Sequence, residues 1–270
     1  MGAVGLAEAV ARIEGRFGAR ALTRASEAER HRSLRRFATD TSFDVITGGG
    51  IAAGEALALV GTGGTLTLAL RAARGAQQGG GMVLWVDPSF SFDARAAARA
   101  GVDLGSLVVI RVRSREAALL AATAAFRGHG YRLVVVDTGS SFSTQLAACD
   151  LARLVPIARG SSASLLLLAE EDRPRTMPVY VVERVSWERR FGRTVGWTFA
   201  VARPGARERA FFHVGALGWE LTDLGVVGGS AGVESLADKT RGLRLLVERP
   251  LVSACSTSAR DFDPRLLLGS

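Results

Sequence analysis

The chain has 270 residues, 48% of them hydrophobic, and a formal net charge of +8. That is enough apolar material for one α/β domain with appendages, and it excludes disorder throughout. Two cysteines and three scattered histidines exclude a disulfide framework and give no metal-ligand spacing, so no metal and no His-based triad are expected.

The positive charge is almost all arginine, with Lys239 the single lysine. It suits an acidic partner such as nucleic acid or an acidic protein surface. No apolar stretch reaches the roughly 18 residues needed to span a bilayer. The N-terminus mixes Glu8, Arg12 and Glu14 with apolar residues and does not read as a signal peptide. A reduced, cytoplasmic setting fits, and no membrane partner is expected.

From Val4 to Leu22, Leu6, Val10, Ile13 and Phe17 recur at helical spacing, which predicts an amphipathic helix. A basic stretch from Arg24 to Arg36 follows as a linker, and Phe43 to Ile51 reads as a turn. Ala56 to Val60 is a buried strand, followed by Gly61-Thr62-Gly63-Gly64-Thr65-Leu66 and a helix through Ala73. Strand, glycine-rich turn and helix is the layout of a phosphate-binding loop. A working loop also needs a Lys for phosphate charge and a Ser/Thr hydroxyl for Mg²⁺. Here the turn is short and Thr65 and Leu66 stand at those places.

Further strands are expected at 82–86, 107–110, 132–137 and 163–168, with helices at 94–100, 115–126 and 145–158 between them. Continuous apolar strands alternating with helices predict a parallel sheet covered on both faces. Ligands in such sheets bind at the carboxyl ends of the strands, where Gly61, Asp87 and Asp137 fall. Alternating segments at 179–185, 195–202 and 210–214 read as an antiparallel extension. Arg184, Arg189, Arg190 and Arg193 interleave there with Trp187, Phe191 and Trp197, a pattern that can hold phosphates and stack bases. The alternative is a hairpin with core-facing aromatics and solvated arginines. Beyond Gly228 the chain is Gly/Ser-rich, with one more strand expected at 243–247 and an apolar end, Pro264 to Leu268.

The order of these motifs resembles the RecA recombinase family. The carriers are residues 6–18, Gly49 to Glu55 before the glycine turn, Gly101-Val102-Asp103-Leu104 with Leu107, Val134 to Asp137, and Glu220 to Val226. The resemblance spans about residues 6 to 227. It implies a RecA-like α/β core with a mostly parallel central sheet flanked by helices, an N-terminal helix and a short C-terminal extension. The implied boundaries are 1–40 for helix and linker, 41–227 for the core, and 228–270 for the extension.

It also implies where chemistry has gone. The family's P-loop Lys and Ser/Thr fall on Thr65 and Leu66, its water-activating Glu on Ser89, and its γ-phosphate-sensing Gln near Glu170. Asp137 is retained. Gly61, Gly64, Thr65, Leu66, Ser89 and Asp137 thus outline a degenerate nucleotide site, with no cofactor expected and no ATPase activity. The two DNA-binding loops look shortened, the second leaving Arg173 and Arg175 beside Arg184, Arg189, Arg190 and Arg193 as DNA contacts.

Within the superfamily, the length and these losses resemble the ImuA group, accessory proteins of the ImuA–ImuB–DnaE2 mutasome in SOS-induced translesion synthesis. That likeness implies an adaptor for an ImuB-like inactive Y-family polymerase homologue and for RecA, with a DnaE2-type polymerase engaged indirectly. Leu6, Val10, Ile13 and Phe17, and Leu266 and Leu267 in the tail, would be the partner contacts. Weak nucleic-acid binding and recruitment to the nucleoid on DNA damage would accompany that role. The alternative is an ATP-binding or DNA-binding regulator of recombination.

Overall fold

The computed structural model describes residues 36–128, 130–138, 148–170, 174–215 and 220–228, together with Glu8, Arg12 and Gly15. Those three are helical, and Glu8 and Arg12 form an exposed i,i+4 pair at 3.7 Å. The apolar stripe Leu6, Val10, Ile13 and Phe17, the strand expected at 243–247, and Leu266 and Leu267 lie outside the described residues.

Two short strands, β1 (Arg36–Phe37) and β2 (Ile51–Ala52), pair antiparallel around a helical turn, α1 (Phe43–Thr47). The expected plain turn is therefore a capped unit. Asp44 accepts from the Thr39 N–H at 2.9 Å and from its hydroxyl at 2.8 Å, while Arg36 donates to the Gly50 carbonyl at 2.7 Å.

The main sheet then builds as β3 (Ala56–Gly61), α2 (Thr65–Gln78), β4 (Met82–Val86), α3 (Ala94–Arg99), β5 (Leu107–Ile110), α4 (Arg115–Arg127), β6 (Tyr131–Asp137), α5 (Ala148–Arg159) and β7 (Ser164–Ala169). Four long strands close it: β8 (Val179–Arg190), β9 (Arg193–Ala202), β10 (Glu208–Gly215) and β11 (Leu221–Gly228). The spatial order is β11-β10-β9-β8-β3-β7-β6-β4-β5. Each pair from β8 to β5 is parallel, and β8 to β11 are antiparallel.

The sheet sits between two apolar layers because its central strands bury both faces. Leu57, Leu59, Trp85, Leu133, Val135 and Leu166 pack with Leu68, Ala69, Ala72 and Ala76 of α2. The alternate residues, Ala58, Val60, Leu84, Val134, Val136 and Leu165, pack with Ala122 and Phe126 of α4 and with Leu151 and Leu154 of α5. A strand's period of two sends successive side chains to opposite layers, so the sequence reads as an unbroken apolar run.

The extension departs from the sequence reading in one respect. β8 is not simply the first of an antiparallel set. Its first four residues pair parallel with β3, Val182 opposite Gly61, and its length beyond Tyr180 pairs antiparallel with β9. Glu220 to Val226, read only as the segment closing the core, contributes most of β11. Among the described residues no helix is long and apolar enough to cross a membrane.

Gly75, in the middle of α2, lets the helix lie against the backbone that follows β1. A Cβ there would stand 1.8 Å from the Ala38 carbonyl oxygen. Gly→Ala in a helix interior ordinarily stabilises by about 1 kcal/mol. Here Gly75→Ala is expected to destabilise by about 1–3 kcal/mol, because the backbone must move apart. The urea unfolding midpoint reads the sign.

Candidate functional site

The glycine turn lies where β3 meets α2, at the carboxyl edge of the parallel strands. Gly61 has φ +136°, and a Cβ on it would come 1.9 Å from the Val182 carbonyl oxygen of β8. Gly63 is also left-handed, with φ +88°. Gly64 caps α2, and there is no side-chain hydrogen bond to the helix's first turn.

The back of this turn is filled. A Cβ on Gly64 would meet the ring of Phe199 at 2.7 Å, and that ring stacks on Phe212 at 5.2 Å. The Trp197 indole N–H donates to the Gly63 carbonyl. Thr65 is half-buried, Leu66 packs against the core, and Leu68 and Leu70 are buried. The turn is therefore braced by aromatics of β9, one of which, Trp197, the sequence grouped with the arginine-rich hairpin.

No lysine stands in the turn, and the nearest arginine along α2 does not replace it. Arg71 has Arg74 and Asp40 as its charged neighbours, on the flank of the helix. Burial, then the Arg74 charge, lowers its pKa, while Asp40 opposes them. Its Nε is buried without a hydrogen-bond partner.

Across the edge, the acidic groups are absorbed into the fold. Asp87 is wholly buried at the end of β4. It accepts from the Ser91 N–H at 3.0 Å, the Phe92 N–H at 3.1 Å and the Ser89 hydroxyl at 3.2 Å, and Arg111 stands at 3.4 Å. The carboxylate thus closes its own turn. Asp137, at the end of β6, is also buried and accepts from the Ser91 hydroxyl at 3.1 Å. Ser89 and Ser91 hydroxyls lie 2.8 Å apart. The two hydroxyls thus stand side by side between the acids, Ser89 with its proton available to Asp87 and Ser91 with its proton available to Asp137. An alcohol lacks the basicity to deprotonate water.

Ser91 and Arg111 were not singled out from the sequence. The signal was present in Asp87-Pro88-Ser89-Phe90-Ser91, where small hydroxyls follow a strand-ending acid, but only folding brings Ser91 to Asp137. Glu170 is half-buried at the end of β7, and Arg175 is exposed. Arg173 lies outside the described residues. Among the described residues no three His, Cys, Asp or Glu side chains group as metal ligands.

The β8–β9 hairpin projects from the same edge, since β8 runs parallel to β3. A register shift between Arg184 and Ser186 sets Arg184 over the Trp187 ring at 4.2 Å, and Trp187 meets Trp197 edge-on at 6.0 Å. Trp187 is 47% exposed and Phe191 is fully exposed, so the reading in which all hairpin aromatics face the core holds for Trp197 only. Arg184, Arg189 and Arg193 are exposed. Arg190 is engaged differently: it donates to buried Glu188 at 2.9 and 3.0 Å, and Glu188 lies 3.1 Å from His213.

Comparison with known proteins adds a family. The model of the RecA N-terminal domain matches residues 4–148, just over half of the chain. Protein RecA of Synechocystis sp. is 31% identical over 132 residues, covering 48% of this chain and 37% of that protein. Protein RecA of Streptomyces rimosus is 32% identical over 133 residues, covering 48% and 35%. Protein RecA of Roseiflexus sp. is 31% identical over 137 residues, covering 49% and 39%. The matched segment spans well under half the length of each of these relatives.

The two acids should differ from the two hydroxyls in what they contribute. Asp87→Ala strands two backbone N–H groups and Arg111, and is expected to cost about 3 kcal/mol or more. Ser89→Ala removes a hydroxyl whose neighbours keep other partners, and should cost under about 1 kcal/mol. Chemical unfolding of the two variants separates them.

Proposed function

The chain belongs to the RecA N-terminal domain family, and from that premise we propose that it is a non-catalytic RecA-like adaptor. The observation that carries this reading is the glycine turn packed from behind by Phe199 and Trp197, with Thr65 and Leu66 where a cation and a metal-binding hydroxyl belong. Phosphoryl transfer relies on electrostatic stabilisation of charge that develops on the transferred group. A triphosphate placed at this turn would face Asp137 with no lysine in the loop. The residue at the water-activating position, Ser89, donates its hydroxyl proton to Asp87. The losses are concerted, and they point to a core kept for its shape.

In this reading the core presents binding segments at its ends. It serves DNA damage tolerance by contacting an ImuB-like inactive Y-family polymerase homologue and RecA, in support of error-prone translesion synthesis. A DnaE2-type polymerase is engaged through the first of these. The protein acts in the cytoplasm and gathers on the nucleoid after DNA damage. The N-terminal apolar stripe, Leu6, Val10, Ile13 and Phe17, suits helix-in-groove recognition of a RecA-type surface. Leu266 and Leu267 suit a peptide contact with the polymerase homologue.

A second reading, a nucleic-acid-binding regulator of recombination, is favoured by one observation. The hairpin exposes Arg184, Arg189, Arg193 and Trp187 together on the edge where ligands of such sheets bind. The two readings are compatible, since an adaptor at a stalled fork works on DNA.

Nucleotide binding is tested by thermal unfolding with millimolar ATP and Mg²⁺. A site with micromolar Kd would stabilise the protein by about 4 kcal/mol at that excess. The expected result is no shift, and Thr65→Lys is expected to show no ATP turnover. A clear rise in Tm, or turnover in the single variant, would refute the loss of the site. The adaptor role is tested by pull-down of the polymerase homologue and of RecA. Leu6→Asp with Val10→Asp is expected to weaken RecA capture and leave capture of the homologue intact. If wild type captures neither protein, the adaptor role is wrong.

A further inference from the structure

The tip of the β8–β9 hairpin carries a residue that its backbone disfavours. Arg190 pairs with Arg193, which leaves Phe191 and Gly192 as a two-residue turn. Both have positive φ, +49° and +76°. Positive φ at both positions is what a type I′ hairpin turn demands, and Asn, Asp or Gly ordinarily fills the first. A bulky aromatic there is a backbone outlier. Nor does the fold recover anything from the side chain, because Phe191 is 105% exposed. Strain of this kind, held at an exposed position by a firmly bonded surround, points to use of the side chain outside the fold.

The stem supplies that surround. It is stiffened on one side by Arg184, Trp187 and Trp197, and on the other by Arg190, Glu188 and His213. Gly196 makes room for that second group, since a Cβ on it would stand 2.7 Å from His213 Nε2. The Phe191 ring is thereby carried beyond the sheet edge, with exposed Arg189 and Arg193 beside it.

We propose that Phe191 is a base-stacking tip that selects nucleic acid with unpaired bases, while Arg189 and Arg193 hold the flanking phosphates. This rests on the nucleic-acid reading of the hairpin and adds the structure it prefers: a single strand, or a duplex with an open end, over a continuous duplex. An aromatic gains stacking energy only where a base face is open, and in a continuous duplex both faces are taken. The composition of the tip favours this occupant over a protein. A protein hot spot buries its aromatic within a ring of contacts that excludes water. At this tip one ring stands among planar cations, which is the chemistry of base and phosphate.

The test uses the full-length protein and fluorescence anisotropy with three labelled DNAs: oligo-dT, a blunt duplex and a forked duplex. Wild type is expected to prefer oligo-dT and the fork over the blunt duplex. Phe191→Asn suits the left-handed backbone, so its Tm should equal or exceed that of wild type. Its affinity for oligo-dT and for the fork should fall about tenfold, with the blunt duplex unaffected. Phe191→Trp should retain the preference, and Arg193→Glu should weaken all three alike. Unchanged binding by Phe191→Asn, or an equal loss on the blunt duplex, would overturn the stacking role. If wild type binds none of the three at low salt, the nucleic-acid reading of the hairpin falls with it. The adaptor reading, tested by nucleotide and pull-down, is untouched by that result.

Discussion

No side chain can stand at Gly61, because the Val182 carbonyl occupies the space. That close approach is where the parallel core and the antiparallel extension are joined. It lets β8 lie parallel along β3 while its other edge pairs with β9. This contact sets where the extension meets the carboxyl edge. β9 brings Trp197 and Phe199 behind the glycine turn, and the β8–β9 hairpin is aimed past it.

The two apolar layers make that edge rigid. Central strands bury both faces, so the ends of β3, β4 and β6 are held by packing. Asp87 and Asp137 then need partners supplied by the chain, because a buried carboxylate without them is costly. Ser89, Ser91, Arg111 and two backbone N–H groups provide these. The exposed arginines stand on the hairpin, with Arg184 beside the glycine turn, its Nη1 3.6 Å from where a Cβ on Gly63 would be.

Much of the architecture was legible in the residues. The runs Ala56–Val60, Met82–Val86 and Leu133–Val136 are apolar without alternation, and this distinguishes a parallel, doubly covered sheet from a half-exposed one. That Thr65 and Leu66 follow the glycine turn is read directly from the residues. What escaped was whatever depends on strands meeting at a distance in sequence. Nothing local in Val179–Arg190 says that its two edges pair in opposite senses. Ser91 acquires its meaning only beside Asp137, 46 residues away, and Trp197 only beside Gly63, 134 away. The orientation of Trp187 was likewise undecidable, because the register shift that moves Arg184 onto its face is a property of the pair of strands and not of either one.

The packing of Phe199 under Gly64 bears on what constrains each residue of such a turn. In an active loop, glycines and lysine answer to the same ligand and are lost together when it goes. Here the glycines answer to neighbouring protein, to Val182 and Phe199, while Thr65 is half-buried. Packing alone is enough to hold these glycines in place, whatever the turn binds.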